Sequence, residues 1–173
     1  MASSVLVPVS EYLASSYHPD RDYIDGELKE RNMGEEAHAE VQAILARIIG
    51  NHRAEWGVRV MTEVRVQTLA THFRIPDVCV VPSSRPRGTV IRYAPTLCIE
   101  ILSPEDRMSN VQEKVNEYAR FGVPSIWVID PQQRVGYHAS LHGFEQPADG
   151  VLRVVGSPIE ISLAEIFAEL DEF

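Results

Sequence analysis

Four polar side chains stand where the hydrophobic pattern of this sequence calls for apolar ones. Glu100 interrupts the apolar run Leu97-Cys98-Ile99-Glu100-Ile101-Leu102, and Asp77 opens another, Asp77-Val78-Cys79-Val80-Val81, directly after Pro76. A carboxylate inside such a strand is costly unless a cation, a donor or a metal meets it. Lys114 edges the stripe Val111, Val115, Tyr118 of a helical segment, and His38 falls between Ala37 and Val41 at the edge of another. Each has an ordinary reading. Glu100 can be a hydrogen-bonded core carboxylate, Asp77 a turn residue, Lys114 a snorkelling side chain and His38 a satisfied structural histidine. Together they point further. Two carboxylates on neighbouring buried strands can share a divalent cation such as Mg²⁺, which takes one or two carboxylates plus water and phosphate oxygens. A lysine beside them can orient or deprotonate a water, or neutralise charge building on phosphorus. Metal-assisted attack of water on a phosphodiester needs that set.

These residues must be positioned by elements the pattern also predicts. Val9–Leu13 reads as a short helix capped by Ser10, and Tyr23–Glu30 as a hairpin turning at Asp25-Gly26. Glu35–His52 is the strongest helix, with Ala37, Val41, Ile44, Leu45, Ile48 and Ile49 on one face and Gly50-Asn51 at its end. Val58–Val66 alternates as one strand. Ile75–Val81 and Leu97–Leu102 read as strands covered on both faces, joined by a surface loop over Pro82–Pro95. A helix over Asn110–Phe121 follows, capped by Ser109 or Asn110 and stopped by Gly122 and Pro124. Ser125–Asp130 and Arg134–Ala139 form a hairpin, Val151–Val155 a last strand, and Ser162–Leu170 a helix capped by Ser162 with Glu165. The pattern predicts a single α/β or α+β domain over residues 1–173, with helices packed on a mixed central sheet.

Composition sets an opposing constraint. The chain has 173 residues, 45% of them hydrophobic and 24% charged, with Lys+Arg 16 against Asp+Glu 25 and a net charge of −9. Disorder and collagen-like structure are excluded. The acidic balance argues against general nucleic-acid binding, which draws its affinity from neutralised phosphates. Cys79 and Cys98 sit in apolar runs and read as reduced core residues of a cytoplasmic protein. The N-terminal segment lacks the pattern of a signal peptide, and no apolar run approaches membrane-spanning length.

Several blocks, in order, resemble one family. Ile75-Pro76-Asp77-Val78, Pro95–Pro104, Glu113-Lys114-Val115-Asn116-Glu117-Tyr118 and Gly122–Pro131 look like the Uma2 family of restriction-endonuclease-like proteins, and Tyr23–Leu28 with the His38 helix resembles its N-terminal part. The resemblance runs from about Glu11 to Ala139 and extends to the PD-(D/E)XK nuclease superfamily. It implies a mixed central sheet flanked by helices and Mg²⁺- or Mn²⁺-dependent hydrolysis of phosphodiester bonds, with DNA as partner. It makes Asp77 and Glu100 the metal-binding acids and the Ile101 carbonyl a further ligand. The superfamily lysine would stand at Leu102, so Lys114 takes that role from the following helix. Glu27 and His38 resemble supporting positions. An acid that family members often carry four residues before this lysine is replaced by Asn110, with Asp106 as a substitute.

Net −9 then reads partly as the site itself, awaiting a cation that inverts its sign. Nucleic acid is expected to bind weakly without metal, helped by a rim of Arg74, Arg85, Arg87, Arg92 and Arg107. A homodimer would suit cleavage of two strands. The competing expectation is an inactive interaction protein that keeps the fold and its acidic pocket.

Overall fold

The hydrophobic alternations assemble into three sheets and five helices in a computed structural model that describes residues 5–32 and 34–172. The chain runs α1 (Val9–Ala14), β1 (Asp22–Ile24), β2 (Glu27–Lys29), α2 (Glu36–Asn51), α3 (Arg53–Trp56), β3 (Val58–Thr62), β4 (Val66–Leu69), β5 (His72–Arg74), β6 (Val78–Pro82) and β7 (Leu97–Ile101). It continues through α4 (Met108–Phe121), β8 (Ser125–Asp130), β9 (Val135–Ser140), β10 (Gly143–Glu145), β11 (Val151–Arg153), β12 (Glu160–Ser162) and α5 (Leu163–Leu170).

The central sheet has six strands in the order β10-β9-β8-β7-β6-β3, and a second sheet has four, β2-β1-β5-β4. All pairs in the central sheet are antiparallel except β7 with β8. A parallel pair needs a crossover, and α4 supplies it. The mixed sheet flanked by helices is the expected class. Among the described residues no helix is long and apolar enough to cross a membrane.

Strand periodicity decides what each face of β7 meets. Leu97, Ile99 and Ile101 join the core formed with α2 and α5. Cys98 packs against Val111, Val115 and Tyr118 of α4 instead. Alternation therefore turns Glu100 toward α4. Both cysteines are buried and free.

Some local expectations change. The alternating run over Val58–Val66 is not one strand: β3 ends at Thr62, Glu63 takes a positive φ of 52°, and Val66 pairs into the other sheet. The break is held where the Glu63 amide donates to the Asp77 carbonyl and Arg65 binds Asp20 together with the Tyr12 and Ser15 carbonyls. Helix α2 ends at Asn51, where Gly50-Asn51 predicts its end, but a short helix α3 follows at once and Gly57, in the left-handed region, stops that one. The first residue of β6 is Val78, so Ile75–Asp77 is a buried lead-in rather than strand. Within the Pro82–Pro95 loop, Val90 and Ile91 are buried, and Ile91 bridges to Val66. The expected side-chain caps do not form. Pro8 and Arg107 occupy the N-cap positions of α1 and α4, and Ser162 precedes α5 without a cap hydrogen bond.

Candidate active site

Topology brings the two acids together. Val78 pairs with Ile99, so the next pair outward is Asp77 with Glu100. No ladder continues there. Instead the Ile101 amide donates to Asp77 Oδ2 at 2.7 Å, which locks the lead-in of β6 onto the end of β7. Both acids are buried, at 4% and 5% exposure.

Three further elements close around them. The start of α2 brings His38 Nε2 to 3.3 Å from Asp77 Oδ2. On the same helix Gln42 donates to the Asp77 carbonyl at 2.9 Å, which fixes the main chain. The segment after β2 brings Arg31 Nη2 to Asp77 Oδ1 at 2.7 Å. From α4, Lys114 Nζ donates to Glu100 Oε2 at 3.0 Å and Tyr118 Oη to Glu100 Oε1 at 2.7 Å. Spacing i, i+4 sets these two donors side by side on one helix face. Asp77, Glu100, Ile101, Lys114, His38 and Asp106 line one cavity of about 120 Å³.

Electrostatics follow from burial and charge together. Burial alone would lift the Asp77 carboxyl, but the His38 hydrogen bond and the charges of His38, Arg31 and Lys114 hold it below the usual carboxylate range. Glu100 goes the other way. Burial raises it, and Asp77 adds to the rise against the opposing Lys114 charge. His38 is held above its ordinary value because Asp77 outweighs the cost of burying the imidazolium. Lys114 is buried too, yet Glu100 holds its ammonium well above the ordinary lysine value. So paired, Lys114 presents a cation beside Glu100 and the cavity.

Of the residues expected at the site, the fold brings Asp77, Glu100, Ile101, Lys114 and His38 to one cavity and leaves Glu27 outside it. That side chain is exposed on β2 and pairs with Lys29. The hairpin alternation turns Glu27 outward with Lys29, two residues on. Asp106 does not substitute as a partner of Lys114, since its two oxygens accept from Asn32 Nδ2 and the Ser103 amide, each at 2.7 Å. Asn110 lines the cavity wall. Arg74 is not on any rim. It is buried and binds Asp22, Glu113 and Glu117.

Sequence reasoning missed two donors. Tyr118 was visible only as a member of an apolar stripe, although its place one turn beyond Lys114 was a usable signal. Arg31 lies in Glu30-Arg31-Asn32, where no periodicity marks it.

The donor set fits a small divalent cation in kind. Two carboxylates and a main-chain carbonyl beside a cavity with room for several waters are hard oxygen ligands of the type Mg²⁺ accepts, with water completing the shell. Among the described residues no three His, Cys, Asp or Glu side chains group as a ready metal cluster. The protein would thus contribute Asp77, Glu100 and the Ile101 carbonyl.

A family model described as "Uma2: Putative restriction endonuclease" matches residues 9–170. A crystal structure from Anabaena variabilis ATCC 29413, of a "putative nuclease belonging to DUF820", is similar with a TM-score of 0.79 and 24% identity, covering 94% of this chain and 99% of that one. At that identity the likeness shows the fold. The cryoEM structure of a DrdV–DNA complex aligns at a TM-score of 0.43 and 16% identity over 75% of this chain and 10% of that one, too distantly to carry an argument. No curated protein matches.

Proposed function

The chain belongs to the Uma2 family, and from that premise we propose that it is a divalent-metal-dependent nuclease that hydrolyses phosphodiester bonds of DNA. The observation that carries this is the convergence of buried Asp77 and Glu100 on one cavity with Lys114. One family model spanning residues 9–170 supports reading the chain as a single domain.

In this reading Asp77, Glu100 and the Ile101 carbonyl would hold Mg²⁺ or Mn²⁺, which would supply Lewis-acid polarisation of a phosphoryl oxygen and activation of water. The chain's own residues do the rest. His38 and the Ile101 amide fix the Asp77 carboxylate, and Tyr118 fixes that of Glu100. Lys114 turns its ammonium toward the negative charge that grows on the phosphoryl oxygens in the transition state, where a preorganised cation in a low-dielectric site is worth most.

The test is cleavage of plasmid DNA and of labelled oligonucleotides in Mg²⁺ and Mn²⁺. Wild type should cut and EDTA should stop it. Lys114→Ala and Glu100→Gln should each lower the rate by about 10²-fold or more, as loss of a transition-state electrostatic contact does, with an unchanged circular dichroism spectrum. Metal-loaded wild type that leaves every DNA and RNA substrate intact would overturn the reading.

One observation favours a second reading. Arg31 and Lys114 already neutralise both acids without metal, as a retired pocket in a protein–protein adaptor would require. Calorimetry with Mn²⁺ separates the two. Equal heats from wild type and Glu100→Ala would favour the adaptor.

A further inference from the structure

Both site carboxylates hold a basic partner before any metal enters, in a cavity that Glu30, His38 and Asp106 also line. Arg31 and Lys114 face Asp77 and Glu100, one cation on each carboxylate. A divalent ion between the same acids would meet two fixed positive charges within a few ångströms, a strong repulsion in a partly dry site. One of the two must withdraw. Lys114 is a residue of α4, whose Val111, Val115 and Tyr118 are packed in the core, and among the described residues its ammonium pairs with Glu100 alone. Arg31 differs. It stands in a segment that belongs to no strand or helix, and its second contact is a loose 3.8 Å pair with Glu63, which is itself half exposed. Its neighbour Asn32 is tied to Asp106 on the cavity wall, so the segment is anchored beside the pocket, and the largely buried guanidinium has a second carboxylate, Glu63, within reach.

We infer that Arg31 is an internal counter-cation that competes with the divalent metal for Asp77 and moves to the phosphodiester when the metal enters. This rests on the metal-dependent nuclease reading and goes beyond it. Without metal, the guanidinium keeps a buried carboxylate from standing alone. With metal, Asp77 and Glu100 are taken up by the ion, and Arg31 and Lys114 become surplus positive charge facing the cavity. A phosphodiester passing to a dianionic transition state is the ligand that such a surplus fits. A guanidinium suits the second role as well as the first, because its planar fork matches phosphate oxygens as it does a carboxylate. The device keeps each metal-binding carboxylate paired while the pocket is empty of metal and frees the two cations for an anion only when it is loaded, so substrate and metal bind together.

The inference predicts opposite signs for two measurements that a purely structural ion pair would not separate. Titration calorimetry with MnCl₂ on the full chain compares wild type, Arg31→Gln, Arg31→Lys and Glu100→Gln. Arg31→Gln should bind Mn²⁺ about tenfold more tightly than wild type, the size of effect expected from relieving one like-charge contact. Arg31→Lys should fall between them, since the shorter ammonium reaches Asp77 less well. Glu100→Gln should abolish binding. The same Arg31→Gln protein should show a raised KM for a DNA substrate despite its tighter metal. Its melting temperature should drop in EDTA and recover in saturating Mn²⁺. Should Arg31→Gln fail to fold, Arg31→Lys carries the comparison and must still exceed wild-type affinity. If wild type binds Mn²⁺ in a Glu100-dependent way and the Arg31 variants bind it equally or more weakly, the inference falls and the nuclease reading stands. If no variant binds Mn²⁺, both fall.

Discussion

Tyr118 does more for the site than its place in the apolar stripe of α4 implies. Its ring is buried against Cys98, Val111 and Val115, while its hydroxyl reaches Glu100. The hydrogen bond satisfies one oxygen of a carboxylate that burial would otherwise leave without a partner on that side, and it fixes the plane of the group. Tyr118→Phe keeps the ring and removes only the donor. The expected cost is about 1–3 kcal/mol of folding stability, since an unsatisfied buried acceptor is left behind. Metal affinity or turnover should drop about 10- to 100-fold, the usual penalty when a group that orients a metal ligand is lost. Denaturant unfolding and Mn²⁺ calorimetry on one preparation measure both. Unchanged metal affinity would make the tyrosine a packing residue alone. At this scale the sequence is readable where a polar residue contradicts its surroundings. Glu100, Asp77, Lys114 and His38 announce themselves because each breaks an apolar rhythm. Arg31 breaks none, so only the fold reveals it, and Glu27, implied by the family resemblance alone, is turned toward solvent by β-strand alternation.

The elements that carry these residues are held at a set angle by a second charged network. Arg74 of β5 reaches Glu117 Oε2 at 2.7 Å and Glu113 Oε1 at 3.2 Å on α4, and Asp22 Oδ2 at 3.3 Å on β1. Glu117 also accepts from Thr68 of β4. The four-stranded sheet thus grips α4 one helix face away from Lys114 and Tyr118, and sets how those two donors meet Glu100. Burial would raise the Glu117 carboxyl, but the Arg74 and Thr68 hydrogen bonds and the charges of Arg74 and His72 hold it below its ordinary 4.5. A depressed folded value means that the contribution is complete above pH 4.5 and is lost as pH falls through that lower value. Glu117→Gln should therefore cost about 2 kcal/mol at neutral pH, as loss of charge-assisted hydrogen bonds does. The gap between variant and wild type should close progressively once the pH is below 4.5. Urea denaturation across that range checks it, and a pH-independent gap would remove the charge from the argument. The helix itself was legible from its 3.6-residue stripe and its Gly122 stop. The gripping sheet was not, because β4 and β5 are short and the run of alternating valines hides the turn at Glu63.

At the scale of the whole molecule, strand direction decides where nucleic acid would touch under the nuclease reading. Asp77 precedes β6 and Glu100 lies near the end of β7, so both acids sit at one end of the central sheet. The connection between those strands, which carries Arg85, Arg87 and Arg92, must lie at the other. Strand β6 has five residues, and at about 3.3 Å per residue the loop begins roughly 15 Å from the acids. Within that loop Arg85 stacks on Tyr93 and Arg92 binds Gln67, both local partners. The expected arginine rim is therefore dispersed: Arg74 is buried, Arg85 and Arg87 belong to the loop that leaves the far end, Arg92 is bound to Gln67 of the second sheet, and of the set Arg107, exposed at the start of α4, stays beside the cavity wall. With a net charge of −9 behind it, the protein has little positive field to draw in a phosphate backbone, and its nucleic-acid affinity should come from the metal-loaded pocket. Replacing Arg85, Arg87 and Arg92 together by Gln should then change DNA affinity and cleavage rate by no more than about twofold. The slope of log affinity against log salt should stay as in wild type, because each lost phosphate contact would lower it by about one. Fluorescence anisotropy over a salt series in Mn²⁺, repeated in EDTA, measures this. Weak binding in EDTA and an unchanged slope in the triple variant would place the contact surface at the acid end of the sheet. A slope reduced by two or three would instead put DNA on the Pro82–Pro95 loop.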